Sequence, residues 1–375
     1  MLFQDLGVIN QLLSSLKSSN YQNATPIQEQ AIPFIFAKKD ILGIAKTGSG
    51  KTLAYTVPAL QNSLVAKKTI ENRAVRSLIL VPTRELAVQV GDVISQLSTP
   101  LDKRIKSMSV FGGVSINPQM QKLNGIEILV ATPGRLLELV ENNAVKLSSI
   151  EMLILDEADK MLNLGFKKEM DAIFRLLPSK RQNLLFSATL SEQIEALKTI
   201  HLDKPEIIKV SEEDNDVSLI TQLAYMVSSE QKGPFLRKLI IDKEMKQVLV
   251  FVSSTYNTKH VTAKLMQNGI EAVAISSKKT QGARNKALKN FKEGKLRVLV
   301  STDLLGRGID IDFLPFVINY ELPRSPKDYI HRIGRTGRAE NPGTAISLIS
   351  PEEEHHFKVI QKKMKTKVDL LPAEF

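Results

Sequence analysis

Lys51 and Thr52 close a glycine-rich loop, AKTGSGKT at residues 45–52. Gly48 and Gly50 permit positive φ, so successive amide N–H groups can curl around an anion, and Thr47, Ser49 and both glycines form the expected cradle. Lys51 would reach β- and γ-phosphates, and the Thr52 hydroxyl would ligate Mg2+. One feature departs from the usual pattern: Ala45 stands at the first glycine position. A glycine-rich turn after a strand is the plainer alternative. Far downstream, Asp156 and Glu157 are adjacent carboxylates after the apolar run MLIL. Such a pair suits nucleotide hydrolysis, because Asp156 can hold Mg2+, partly through water, while Glu157 positions or deprotonates the attacking water. An acid-rich helix start would explain the pair in isolation, but not the loop upstream. Near the other end, HRIGRTGR at 331–338 spaces three arginines by three residues. On a helix they would share one face, suited to a polyanion or simply to solvent.

The elements that must position these residues are short apolar runs between helix-like stretches. The first series is ILGIA at 41–45, LILV at 78–81, ILVA at 128–131, MLIL at 152–155 and LLF at 184–186. Alternation of this kind predicts an α/β protein with a parallel sheet, and Thr52 to Leu60 reads as the helix after the loop. A second series comprises VLVFV at 248–252, AVAI at 272–275, VLV at 298–300, FVI at 316–318 and AISLI at 345–349. The architecture is therefore expected twice. Between the series lies SEEDND at 211–216, which has no apolar side chain and reads as a solvated, flexible linker. The expected division is a first domain at 1–210, a linker at 211–217 and a second domain at 218–375.

In open parallel sheets, ligands bind at the carboxyl ends of strands. The distinctive polar segments fall there: Pro82-Thr83-Arg84-Glu85 after LILV, Thr132-Pro133-Gly134-Arg135 after ILVA, Asp156-Glu157-Ala158-Asp159 after MLIL, and Ser187-Ala188-Thr189 after LLF.

Composition narrows the class. A chain of 375 residues suits two domains, and its formal charge of +11 suits a polyanionic partner such as nucleic acid. The absence of cysteine excludes disulfides and thiolate metal sites, and the five histidines lack metal-ligand spacing, so any metal should be a hard cation held by oxygen. No Lys or Arg occurs in the first sixteen residues and no apolar run reaches membrane-spanning length, which makes the cytoplasm the default expectation.

Taken together, these segments resemble the DEAD-box ATP-dependent RNA helicases, named for the four residues at 156–159. The resemblance covers almost the whole chain. It rests on Phe3, YQNATPIQ ending at Gln28, AKTGSGKT, PTRELA at 82–87, Gly112-Gly113, TPGR at 132–135, DEAD and SAT at 187–189. It continues with FVSST at 251–255, Gln281 with Arg284, STDLLGRGID at 301–310 and HRIGRTGR. The resemblance implies two tandem RecA-like domains, ATP and Mg2+ as cofactors, and single-stranded or short-duplex RNA as the partner of a monomeric enzyme. ATP and RNA binding would close the domains, bend the strand and locally separate a duplex. Hydrolysis would reopen them.

Roles follow for particular residues. The Gln28 amide has a donor and an acceptor that can pair with adenine N6 and N7. The resemblance implies that Phe3 stacks near the base, Asp310 contacts the ribose, and Arg335 and Arg338 reach the γ-phosphate from the second domain as arginine fingers. His331 would pair with polar groups around Asp159, Ser187 or Thr189. RNA would lie on Pro82, Thr83, Arg84, Gly113, Thr132, Pro133, Gly134 and Arg135, and in the second domain on Arg284, Thr302 and Gly308. These groups suit phosphate and sugar more than base edges, so binding is expected to ignore sequence. An aromatic content of 5% argues against a base-stacking platform.

The chain departs from the family pattern at Asn20, where glycine is common, at Ala24, at Ser276-Ser277 in place of His-Gly, and at Gly306 in place of Ala. The second-domain changes would tune RNA coupling and leave ATP binding untouched. Two rivals remain: an RNA clamp that grips without unwinding, and a DNA translocase, which dependence on the ribose 2′-OH would separate. A P-loop kinase would have no need of the second arginine motif.

Overall fold

A computed structural model describes residues 1–45, 48–66, 72–101, 105–210, 220–276, 279–303, 314–337 and 343–375. The chain divides into two compact units, Met1–Ser211 and Glu212–Phe375. The acidic segment expected to link them, 211–217, lies outside the described residues.

The first unit contains a seven-stranded sheet of β1 (Ile41–Ile44), β2 (Ser77–Leu80), β3 (Ser107–Val110), β4 (Ile128–Ala131), β5 (Met152–Leu155), β6 (Gln182–Ser187) and β7 (Glu206–Lys209). Its order is β3-β4-β2-β5-β6-β1-β7, and every pairing is parallel. Successive strand residues face opposite cores. Ile41, Ile79, Val130, Ile154 and Leu184 join one buried cluster, while Leu42, Leu78, Leu80, Leu129, Leu153 and Leu185 join another. This alternation shows that helices cover both faces of the sheet, which is why its inner strands are apolar throughout.

The second unit repeats the plan with β8 (Ile220–Met226), β9 (Val248–Phe251), β10 (Ala272–Ile275), β11 (Val298–Ser301), β12 (Phe316–Asn319), β13 (Gly343–Ile349) and β14 (Leu370–Pro372). These form a parallel sheet in the order β10-β11-β9-β12-β13-β8-β14. Val248, Val250, Val298 and Val300 point into one core, and Leu249, Phe251 and Leu299 into its opposite.

The ten apolar runs read from sequence all became strands. Four strands were missed: β3, β7, β8 and β14. Three are sheet edges and β8 lies next to one. Their residues are mostly half-exposed, so the sequence lacks the continuous apolar signal. Asn20 also finds its explanation here. Its φ is +64°, a left-handed conformation that favours glycine and that asparagine tolerates better than most residues.

Candidate functional site

The order of the first sheet sorts the polar segments into two groups. β5, β6 and β1 are neighbours, so their carboxyl ends bring DEAD, SAT and the glycine-rich loop side by side. β3, β4 and β2 form the other half and carry Gly112-Gly113, TPGR and PTREL.

In the first group, Gly48 and Gly50 adopt φ of +83° and +93°. Gly50 caps the helix Lys51–Val65, whose N-terminal amides therefore face the loop. Lys51 is buried and its ammonium donates to the Ala45 carbonyl. Thr47 lies outside the described residues. Asp156 is buried, its Oδ1 accepting the Glu157 amide at 2.8 Å and its Oδ2 the Tyr55 hydroxyl at 2.7 Å. Desolvation raises the Asp156 carboxyl above the usual carboxylate range, with Glu157 adding to the effect; Lys51, the Tyr55 bond and the Glu157 amide oppose it. Burial, followed by Asp156, lifts the Tyr55 phenol well above 10, so it remains a donor at neutral pH.

Glu157 occupies a left-handed conformation, φ +51°, at the cap of the helix Ala158–Asn163. Its Oε2 lies 2.8 Å from Lys160 Nζ, and both side chains are largely buried. Asp159 Oδ2 accepts the Thr189 hydroxyl at 2.8 Å, while the Ser187 hydroxyl donates to the Thr189 carbonyl. DEAD and SAT are thereby joined within one unit. Thr52, Asp156 and Glu157 present hard oxygens beside a buried carboxyl whose charge is poorly compensated, a donor set that fits Mg2+. Among the described residues there is no cluster of three or more His, Cys, Asp or Glu able to hold a metal. Mg2+ needs none, since it keeps waters and takes phosphate oxygens.

Two adenine-site expectations look different in place. Gln28 is 1% exposed: its Nε2 donates to the Gly50 carbonyl at 2.9 Å and its Oε1 accepts the Thr25 amide at 2.9 Å. Both ends of the amide are engaged with the loop and with the start of the helix Pro26–Phe36. Thr25 adds a bond from its hydroxyl to the Ser49 carbonyl, 2.8 Å. Phe3 is 3% exposed within the first apolar core, so in this arrangement it anchors the N-terminal segment and offers no open ring face.

In the second group, Thr83 follows Pro82 and caps the helix Arg84–Ser98, accepting the Leu86 amide at 3.3 Å. Thr132 precedes Pro133 and Gly134 at the start of the helix Pro133–Glu141. Gly113 has φ +73°, and a Cβ there would sit 2.0 Å from the Arg84 guanidinium. Arg84 is pushed below its ordinary value by desolvation and then by Arg135. Arg135 is 5% exposed; it donates to Glu138 and to the Val114 carbonyl at 2.8 Å each, while its buried Nη1 has no hydrogen-bond partner. Two helix N-termini and two crowded guanidiniums make this half cationic.

In the second unit, Arg332 and Arg335 do not share a helix. The helix Pro326–Ile333 contains His331 and ends at Gly334, which leaves Arg335 in the following turn. Arg335 is buried, and its carbonyl accepts the Leu314 amide at 3.1 Å. Arg332 is structural: it grips both oxygens of Asp303, donates to Asn319 Oδ1 at 3.1 Å and the Glu321 carbonyl at 2.6 Å, and lies over the Phe251 ring at 5.0 Å. Glycine ended the helix before the spacing of three could act. Arg284 is buried on the helix Gln281–Lys292, and Thr302 is half-buried just after β11. Arg338, Asp310, Gly308, Gly306 and Ser277 lie outside the described residues.

The DEAD/DEAH box helicase family model matches residues 25–197, and the helicase conserved C-terminal domain model matches residues 231–340. ATP-dependent RNA helicase CshA of Limosilactobacillus reuteri is 36% identical over 375 residues, covering 100% of this chain and 74% of that protein. The helicase of the same name from Listeria monocytogenes is 36% identical over 372 residues, or 99% of this chain and 70% of that protein. This chain belongs to the DEAD-box ATP-dependent RNA helicases.

Among solved structures, S. cerevisiae Dbp5 bound to RNA and ADP BeF3 is similar with a TM-score of 0.86 and 27% identity, covering 100% of this chain and 96% of that one. A DEAD box protein from Methanococcus jannaschii is 36% identical with a TM-score of 0.54, covering 99% of each chain. The two sheets are thus the tandem RecA-like domains of a DEAD-box helicase. Sequence reasoning missed Tyr55 and Lys160 beside the first unit's motifs, and the anchoring role of Arg332 within the second unit. Tyr55 had a usable signal, lying one helical turn beyond Thr52. Lys160 had one too, three residues beyond Glu157, whereas the partners of Arg332 depend on the fold.

Proposed function

We propose that this helicase binds single-stranded RNA through its sugar-phosphate backbone, without reading sequence, and uses ATP hydrolysis to separate short duplexes or remodel RNA-protein complexes. The observation that carries the reading is the division of one sheet edge into two chemically distinct halves. The β5-β6-β1 half gathers Lys51, Thr52, Asp156 and Glu157 around a loop of left-handed glycines. The β3-β4-β2 half offers Arg84, Arg135 and two helix N-termini, groups that bind phosphate irrespective of the base.

Gly48, Ser49, Gly50 and Lys51 would hold the phosphates, with Thr47 completing the loop. Thr52 and Asp156 would hold Mg2+, which neutralises charge on the phosphate oxygens. Glu157 acts on the attacking water. Lys160 holds its carboxylate in this structure, so engagement of that water requires the ion pair to loosen or to share the oxygen. Gln28 would read adenine by giving up a contact it now makes with its own helix or with the loop. Arg335, Arg338, His331 and Asp310 would complete the site from the second domain. The reading places domains at 1–210 and 218–375, and has the enzyme act as a monomer in the cytoplasm.

ATP hydrolysis measured at fixed salt with no nucleic acid, with single-stranded RNA and with DNA of the same sequence tests this function. Stimulation by RNA alone, abolished in Glu157→Gln, is expected. Equal stimulation by DNA would favour a translocase; ATP-dependent RNA binding without turnover would favour a clamp.

A further inference from the structure

We infer that Tyr55 is a positioning residue of the ATP site, its hydroxyl fixing the Asp156 carboxylate in the orientation that receives the metal-bound nucleotide. The inference rests on the reading that Thr52 and Asp156 face that ligand.

Tyr55 follows Lys51 by four residues and Thr52 by three on the helix Lys51–Val65, so the three share one side of its first turns. The side chain is fully buried, and its ring lies 5.5 Å from that of Phe186 at the end of β6. That apolar contact needs only a phenyl ring. The hydroxyl is the unexplained part, because a buried hydroxyl must find a partner, and the one it finds belongs to the site. It donates to Asp156 Oδ2 at 2.7 Å.

Asp156 Oδ1 accepts the Glu157 amide at 2.8 Å, so each carboxylate oxygen is held from a different direction. Rotation of the carboxylate is blocked, and its remaining lone pairs keep one orientation. A single atom thereby ties the helix after the glycine-rich loop to the end of β5, across 101 residues of sequence. Phenylalanine at this position would preserve the packing and release the carboxylate.

Tyr55→Phe in the full chain isolates the hydroxyl. Affinity for a fluorescent ADP is measured for parent and variant with Mg2+ and with EDTA, and the RNA-stimulated ATPase is titrated with Mg2+. The expected result is a roughly tenfold smaller gain in ADP affinity from Mg2+, with affinity in EDTA unchanged, as loss of a charge-assisted bond at a ligand implies. The Mg2+ requirement of the ATPase should rise in parallel, while the KM for RNA stays put. An unchanged Mg2+-dependent gain overturns the inference, and so does an equal loss with and without Mg2+, which would mark Tyr55 as merely structural. A parent that gains nothing from Mg2+ would instead bring down the metal-site reading, and this inference with it.

Discussion

The two halves of the first sheet's carboxyl edge are built in opposite ways. In the β5-β6-β1 half, polar groups are satisfied by one another: Lys51 by Ala45, Gln28 by Gly50, Asp156 by Tyr55, Glu157 by Lys160, Asp159 by Thr189. In the β3-β4-β2 half, Arg84 crowds Arg135, and Arg135 keeps a buried donor without an acceptor. A ligand entering the first half must exchange existing bonds, so its binding is coupled to rearrangement. A phosphate entering the second half meets two helix N-termini and the partly exposed Arg84 guanidinium beside the buried Arg135. The comparison assigns switching to one half and standing affinity for a polyanion to the other.

One substitution made in each half provides the strongest test. In Gly50→Ala the new Cβ would meet Gln28 Nε2 at 2.4 Å and the Thr25 hydroxyl at 2.6 Å, at a φ of +93°. Strain of about 1–3 kcal/mol on a phosphate-facing loop should weaken ATP binding by about ten- to a hundredfold and spare RNA binding measured without nucleotide. Gly113→Ala, with φ +73° and a Cβ 2.0 Å from the Arg84 guanidinium, should do the reverse. Titrations of both ligands on both variants decide the matter; if both ligands weaken in both variants, the halves are not independent.

Arg84→Gln should lower RNA affinity several-fold and flatten the dependence of log affinity on log salt by roughly one. An unchanged salt slope would remove Arg84 from the phosphate path. Smaller still is the effect of Gln28→Ala, which leaves the Gly50 carbonyl without this donor. Unfolding in urea should show a loss of about 1 kcal/mol, and the KM for ATP should rise. A variant with normal stability and a raised KM would mean that the amide acts on the base alone.

The last prediction concerns pH. Because Asp156 titrates above its unfolded value, the folded protein holds that proton more tightly than the unfolded chain does. Its contribution to stability is therefore greatest in acid and is lost as pH rises from the ordinary carboxylate range through the raised value. Asp156→Asn removes that loss, so the melting temperature of the nucleotide-free variant should gain on the parent from acidic to neutral pH. Parallel curves would contradict it.

Much of this was legible because the inner strands are apolar on both faces and the ligand-binding turns follow them directly, as in Ile41–Ile44 and Met152–Leu155. Edge strands such as Glu206–Lys209 escaped because half-exposed positions carry no apolar run. Where residue type alone suggested chemistry, at Lys51, Thr52, Asp156 and Glu157, the strand order brings those residues to neighbouring strand ends. Side-chain partners distant in sequence were not legible, because they depend on strand order. Nothing in the sequence near Gln28 says that its amide meets Gly50, and nothing near Arg332 says that Asp303 will claim it. Spacing also misled at HRIGRTGR, where a helical face was expected and Gly334 ends the helix first.

The left-handed backbone at Glu157 has a consequence for protein engineering. A side chain held there costs about 1–2 kcal/mol relative to glycine, which adopts the conformation freely. Glycine or asparagine would relieve that strain but leave the buried Lys160 ammonium without its carboxylate, so a screen for heat resistance has little to gain at this position. Any campaign to harden this enzyme has to hold position 157 fixed and look for its gains elsewhere.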